Sequence, residues 1–269
     1  MAIIRVFPRR TNATPDDEFS FVGEPPLFLP EDITEIHISV TFSWDIPEAE
    51  RLARAWEVHG PIKMGGPALG MRGESFVPGR YLKPGYVITS RGCPNNCWFC
   101  SVPKREGNIR ELPICMGWNV LDDNILACSE EHVKKVFRML SFSDHPVEFT
   151  GGLEAARLKD WHAQELKKLK AKQVFFAYDS PEKFEALKNA AMIMFSAGFT
   201  RASKAVRSYV LIGYPKDTII EAESRLNACL KIGVVPMAML WKNEKGESSR
   251  EWRRFQRLWA RPMFMKFPE

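Results

Sequence analysis

Residues 91–100 read RGCPNNCWFC and place Cys93, Cys97 and Cys100 within eight positions of a chain that has six cysteines in all. They follow directly on the apolar run YVITSRG, which has the length and β-branched content of a strand. A short loop behind a strand can bring three such thiolates to one centre. A closed structural zinc site takes four cysteines or histidines, usually in paired knuckles. No fourth ligand stands nearby: Cys115 and Cys128 are isolated, Cys229 falls on an apolar helical face, and no histidine pairs with another at ligand spacing. Three thiolates on an iron-sulfur cube would leave one iron open to a substrate or cofactor. A zinc or redox site and a chance grouping are the other readings.

Working outward from the motif, six short apolar runs recur: YVITSRG, GWNVLDD, PVEFTGG, QVFFAYD, SYVLIGY and VVPMAMLW. Most of the intervals between them carry a helical pattern, with Val133, Val136, Phe137 and Leu140 on one face and Ile219, Ala222, Leu226, Cys229 and Leu230 on another. A strand every 25 to 30 residues or so is the spacing of βα units joined right-handedly into a parallel sheet. Ligands of such sheets collect at the carboxyl ends of the strands, so the residues just after each run are the candidates. Upstream, EIHISVTFSWD, IPEAERLARAWEVHG and PIKMGGPAL read as one βαβ-like unit over residues 35–69. Residues 1–30 are rich in proline and turn formers, and an extended arm over the body is expected there.

The chain has 269 residues, 45% hydrophobic and 26% charged, which excludes a disordered or fibrous protein and suits one dominant core. No apolar run approaches the ~18 residues of a membrane span, and MAIIRVFPRR lacks a secretory apolar stretch, so a cytoplasmic location without membrane association is expected. In that reducing compartment clustered cysteines are metal ligands or catalytic thiols rather than disulfides. A net charge of +5 permits an acidic partner, nucleic acid included.

The spacing C-x3-C-x2-C behind a barrel-like strand, with aromatic Phe99 just before the last cysteine, resembles the radical S-adenosylmethionine (radical SAM) superfamily. The resemblance covers residues 86 to about 241. It implies an α/β fold with a partial (β/α)6 barrel at residues 86–241, preceded by an N-terminal arm and a truncated Rossmann-like βαβ unit (1–85) and followed by a basic aromatic C-terminal helix (242–269). It also implies an oxygen-sensitive 4Fe-4S cluster on Cys93, Cys97 and Cys100, with SAM chelating the open iron and cleaved to a 5'-deoxyadenosyl radical. An external one-electron donor such as flavodoxin or ferredoxin would supply the electron. Phe99 would lie near the adenine. Asp122 and Asp123 in GWNVLDDN would hold the amino group, similar to the acidic variant of members with cobalamin-type domains, with Asn124 beside them. Gly152 in FTGGLEAARL, with Glu154 and Arg157 following, is a backbone approach point. Asp179 in FFAYDS matches a ribose contact, its alternative being a cap for a helix starting at Pro181. Gly213 in YVLIGYPKDT belongs to a segment the family writes Gly-x-Pro-Gly-Glu, and here Lys216 stands where that pattern has its second glycine.

Other branches of the family fit less well. His37 and His59 lie in no Asp-x-His-x-x-Gly loop, so cobalamin is not expected; residues 1–92 hold no cysteine for a second cluster, and nothing after Cys229 supplies a cysteine-rich tail. Cys115 and Cys128 are reserve candidates for a hydrogen donor or methyl carrier. At the carboxyl end Trp252, Phe255 and Trp259 form a helical stripe, with Arg250, Arg254, Arg257 and Arg261 on another flank. Either the stripe packs and the arginines are solvated, or the arginines meet phosphates. The substrate candidates are accordingly a nucleotide or nucleic-acid base, a peptide or a small metabolite. The alternative from another class is a non-catalytic zinc or iron-sulfur binding module.

Overall fold

The computed structural model describes residues 2–73, 75–243, 245–261 and 265–267; the last part of the expected C-terminal segment, at 262–264 and 268–269, lies outside the described residues. The architecture is mixed α/β with two parallel sheets. The amino-terminal sheet contains β1 (Ala2–Phe7), β2 (Ser20–Val22), β3 (Ile33–Ser39) and β4 (Ile62–Gly65), all pairs parallel, in the order β2-β1-β3-β4. The expected βαβ unit is present, with α1 (Ile46–Trp56) linking β3 to β4. Ala49, Leu52 and Trp56 of α1 pack on Ile4, Val6, Ile36 and Ile38, all buried.

The expected arm over residues 1–30 is corrected: residues 2–7 supply the strand between β2 and β3. The turn formers begin at Pro8, after the strand has ended, and AIIRVF buries Ile4 and Val6 completely. This unit is fastened to the segment before the second sheet. Arg5 donates to the Gly79 and Arg80 carbonyls, each at 3.0 Å, and His37 meets the Tyr81 hydroxyl at 2.6 Å.

The second sheet runs through β5 (Tyr86–Val87), β8 (Asn119–Val120), β9 (Glu148–Leu153), β10 (Gln173–Tyr178), β11 (Val206–Ile212) and β12 (Val235–Leu240). Between β5 and β8 come β6 (Ser90–Arg91), α2 (Val102–Glu106) and β7 (Arg110–Glu111). The six strands pair in chain order and all in parallel. Right-handed crossovers taken in one direction set the connecting helices on one face. These are α3 (Glu130–Leu140), α4 (Asp160–Lys168), α5 (Phe184–Ser196) and α6 (Ile219–Lys231). Local chemistry starts two of them: Ser129 Oγ accepts from the His132 amide, and Thr218 and Glu221 form a reciprocal capping box.

Alternation along β11 shows both faces of this sheet. Val206, Ser208, Val210 and Ile212 are buried on one side, and Arg207, Tyr209 and Leu211 are half-buried on the other. That second face is polar near the strand beginnings. Asn119 donates to Glu148, Gln173 donates to Glu148, and Arg207 donates to Gln173, at 3.2, 2.8 and 2.7 Å. Above this ladder Phe175 stacks on Tyr209, with ring centroids 4.3 Å apart.

The chain finishes its described helices with α7 (Arg250–Trp259), capped by Ser249. Phe255 is buried, Trp252 and Trp259 pack against the main core, and the arginines face outward. Among the described residues no helix is long and apolar enough to cross a membrane.

His162 on α4 is 4% exposed and its Nδ1 accepts from the Lys159 amide at 2.9 Å. Burial, with Lys159 nearby, pushes its pKa down from 6.5 to about 4. The unfolded chain therefore takes up this proton first, so the contribution is intact above pH ~6.5 and is lost as pH falls toward 4. Chemical denaturation is expected to show about 2 kcal/mol lost through this group between pH 7 and 5. In His162→Asn, whose Oδ1 can replace the acceptor, the pH dependence is expected to be shallower; identical slopes would assign the loss elsewhere.

Candidate functional site

The cysteines lie in a loop closed at its neck. β6 and β7 pair antiparallel, Ser90 with Glu111 and Arg91 with Arg110, so the ends of residues 92–109 are held side by side. Within the neck the Cys93 amide donates to the Gly107 carbonyl at 3.2 Å. Gly92 adopts φ +90°, and a Cβ there would overlap the Asn108 carbonyl oxygen, so only glycine fits. The Cys100 amide donates to the Cys97 carbonyl at 3.0 Å, a tight turn between the last two thiols. All three cysteines are half-buried and free.

Two buried carboxylates anchor the loop. Asp122, 2% exposed beyond the end of β8, accepts from the Thr89 amide and hydroxyl, both at 2.6 Å, and from the Ser90 hydroxyl at 2.7 Å. Burial raises its pKa against these hydrogen bonds. This corrects the expectation that Asp122 holds a cofactor's amino group: both of its oxygens are engaged with the strand that launches the cysteine loop. Glu106, also 2% exposed, closes α2 and accepts from Arg105, Arg110 and the Gly73 amide. Burial works to raise this carboxyl, but Arg105, Gly73 and the charge of Arg91 outweigh it and hold it below the ordinary value.

The other expected residues stand at the carboxyl ends of successive strands. Asp123 accepts from the Gly92 amide at 2.9 Å, so it too braces the neck; burial raises its pKa, opposed by that amide and by Arg91. Gly152 has φ +93° where the β9–β10 register shifts. Asp179 follows β10, and burial raises its pKa while Lys183, 3.5 Å away, opposes. The alternative for this segment is met in part: a helical turn starts at Pro181 with Ser180 at its cap position, but without a side-chain cap bond. Phe99 is half-buried and meets Trp98 edge-on at 5.4 Å. Trp98 in turn meets Tyr214 at 5.7 Å, joining the cysteine loop to the end of β11.

Gly213 donates its amide to Asp217 at 2.7 Å, and Arg225 donates to the same carboxylate at 2.8 Å. In this turn Lys216 carries φ +73°, so the glycine expected at this position is replaced by a lysine in the same left-handed region.

Lys183 and Glu106, which the motif reading did not single out, and Asn124, which it placed beside the acidic pair, complete the surroundings. Lys183 Nζ lies 3.6 Å from Cys97 Sγ while also reaching Asp179, an i,i+4 pair whose spacing was visible in the sequence. Asn124 Nδ2 reaches Cys93 Sγ at 3.4 Å and Glu154 Oε2 at 2.7 Å. Its Oδ1 is buried without a hydrogen-bond partner. Glu106 shows only as an Arg-Glu spacing in sequence. The Cys100 thiol is raised by burial, opposed by the Val102 amide, and raised further by Cys97, Cys93 and Asp123, so the three sulfurs share one electrostatic neighbourhood.

Cys128 lies behind the loop, its thiol pushed up to about 12 by burial, and Cys229 is pushed equally high inside α6. Neither forms thiolate at neutral pH. Cys115 packs against the main core.

Among the described residues no three His, Cys, Asp or Glu side chains are grouped so as to hold one metal ion. A cluster takes each thiolate at a separate corner and does not need them to converge on a point. No protein-family model matches this chain, and no curated protein matches it at a significant level.

Two stability measurements test this construction. Asp122→Ala would leave the Thr89 and Ser90 donors unmatched in the interior and is expected to cost about 2–4 kcal/mol in denaturant unfolding; a loss below 1 kcal/mol would remove it as the anchor. Lys216→Gly relieves a left-handed L-residue and is expected to stabilise by about 1 kcal/mol. An unchanged or lowered midpoint would show that the turn carries no such strain.

Proposed function

We propose that this chain is a radical SAM enzyme whose six-stranded unit is a partial (β/α)6 barrel, with a 4Fe-4S cluster held by Cys93, Cys97 and Cys100. The observation that carries the reading is a neck-closed loop of three free, half-buried thiols at the carboxyl end of the first parallel strand, beside a buried acceptor, Asn124 Oδ1, that has no donor. The donor set fits such a cluster: three thiolates, two of them within reach of N–H donors, and no fourth protein ligand. When bound, the cluster and SAM supply one-electron cleavage of the sulfonium and a 5'-deoxyadenosyl radical that takes hydrogen from substrate.

The chain's own residues do the rest by binding and orienting. Asn124 Oδ1 and the Glu154 carboxylate form an acceptor pair suited to an ammonium group, a role transferred here from Asp122. Phe99 offers a flat apolar face for adenine, and half-enclosed Asp179 offers an acceptor for ribose hydroxyls. Gly152 and Gly213 let a ligand approach the backbone. N–H donors on the sulfurs, from Asn124 to Cys93 and from Lys183 to Cys97, withdraw charge from the thiolates and so favour reduction. Strand order supports the barrel, since helices confined to one face leave the polar face of β8–β11 as its lining. The electron would come from an external donor such as flavodoxin or ferredoxin.

Protein purified without oxygen is expected to be brown, to lose its broad visible absorption in Cys97→Ala, and to yield 5'-deoxyadenosine with SAM and dithionite. Asn124→Leu is expected to keep the colour and bind SAM about 10-fold more weakly or worse, the loss of one charge-assisted hydrogen bond. A colourless protein carrying one zinc would replace this reading with that of a non-catalytic binding module.

A further inference from the structure

We propose that the outer face of α7 and the exposed ring of Trp98 form one docking surface for single-stranded nucleic acid, which presents a base at the strand ends. The proposal rests on the catalytic reading for the fate of the base, though not for its binding.

The charge of this chain is concentrated. Residues 242–261 carry seven basic and three acidic side chains, a net +4, against +5 for all 269 residues. The remainder is close to neutral, so its basic potential belongs to one end of the molecule. Within that segment Trp252, Phe255 and Trp259 face the body, which leaves Arg250, Arg254 and Arg257 exposed along the opposite side. Among the described residues these three make no ion pair, whereas Lys134 and Lys135 on α3 each pair with a glutamate one turn away. An arginine row spanning about 10 Å of helix axis, with the single carboxylate of Glu251 among its four neighbouring arginines and not ion-paired to them, suits successive phosphates of one strand. The planar guanidinium favours that partner because it grips phosphate oxygens in pairs.

A second observation ties the row to the site. A Cβ on Gly213 would come within 3.0 Å of Trp252, so α7 lies against the end of β11. The next residue, Tyr214, meets Trp98, which stands between Cys97 and Phe99 and is 63% exposed. Basic helix, strand end and cysteine loop thus share one rim, with an unburied indole at the cysteine end. An exposed ring beside a phosphate-binding row is the arrangement that stacks an unpaired base, a contact worth ~1–3 kcal/mol. A purely acidic protein partner would use the arginines and leave the ring without a role.

The test is fluorescence anisotropy with the full chain, purified without oxygen, and a labelled single-stranded oligonucleotide of about 12 nucleotides. Three to four phosphate contacts predict binding roughly 20- to 50-fold weaker at 200 than at 50 mM salt. The Arg250→Gln/Arg254→Gln/Arg257→Gln variant is expected to cut that dependence to about threefold. Trp98→Ala is expected to weaken binding while leaving the salt slope unchanged, and Lys134→Gln/Lys135→Gln to change neither. Equal binding by the triple arginine variant and the wild type, or no binding by the wild type, overturns the proposal. Polyglutamate competing as well as unlabelled oligonucleotide also overturns it, in favour of an acidic protein. Because the readout is binding, it stands apart from SAM cleavage: either can fail while the other holds.

Discussion

A carboxylate with 2% exposure persists in a protein interior only when donors saturate it, and Asp122 is saturated by Thr89 and Ser90. Those two residues stand just before Arg91 and the cysteine loop. The bond set therefore fixes the point from which the loop leaves the sheet, and the pairing of β6 with β7 fixes where it returns. Between these two constraints Gly92 and the Cys93–Gly107 hydrogen bond narrow the neck, while Glu106 fastens α2 beneath it. The thiols can then be half-exposed without being loose. Their positions derive from buried polar chemistry on the strand side, not from contacts among themselves.

The parallel sheet determines what these thiols face. Because six strands pair in chain order, every segment that leaves a carboxyl end emerges on the same rim. Asp123, Glu154, Asp179 and Gly213 come from four separate stretches of sequence and meet there for that reason. Burial sorts the remaining cysteines. Cys128 and Cys229 are held as neutral thiols by desolvation, whereas Cys93 and Cys97 have N–H groups directed at their sulfurs. Solvent access and nearby donors thus set the loop cysteines apart from the buried ones.

Much of the fold was legible in the sequence. Six apolar runs with intervening amphipathic helices led to six parallel strands, and the α3 and α6 faces are buried at the expected positions except for half-buried Ile219. Residues 35–69 are the βαβ unit their pattern implied. The amino-terminal strand was missed because six apolar-rich residues precede a long proline-rich stretch that dominates the local composition. At the site, the three cysteines of C-x3-C-x2-C share one neck-closed loop, but the spacing could not show which acidic residue after β8 turns inward.

Covalent order and side-chain type by themselves determined most of the elements, the cysteine spacing and the stripe of α7, because each is set by contacts within a few residues. Only the tertiary structure decided that Asp122 is a brace, that Asn124 and Lys183 reach the sulfurs, and that α7 abuts the end of β11. Those outcomes depend on which groups lose their water when distant strands come together, and desolvation is a property of the assembled molecule that no local pattern contains.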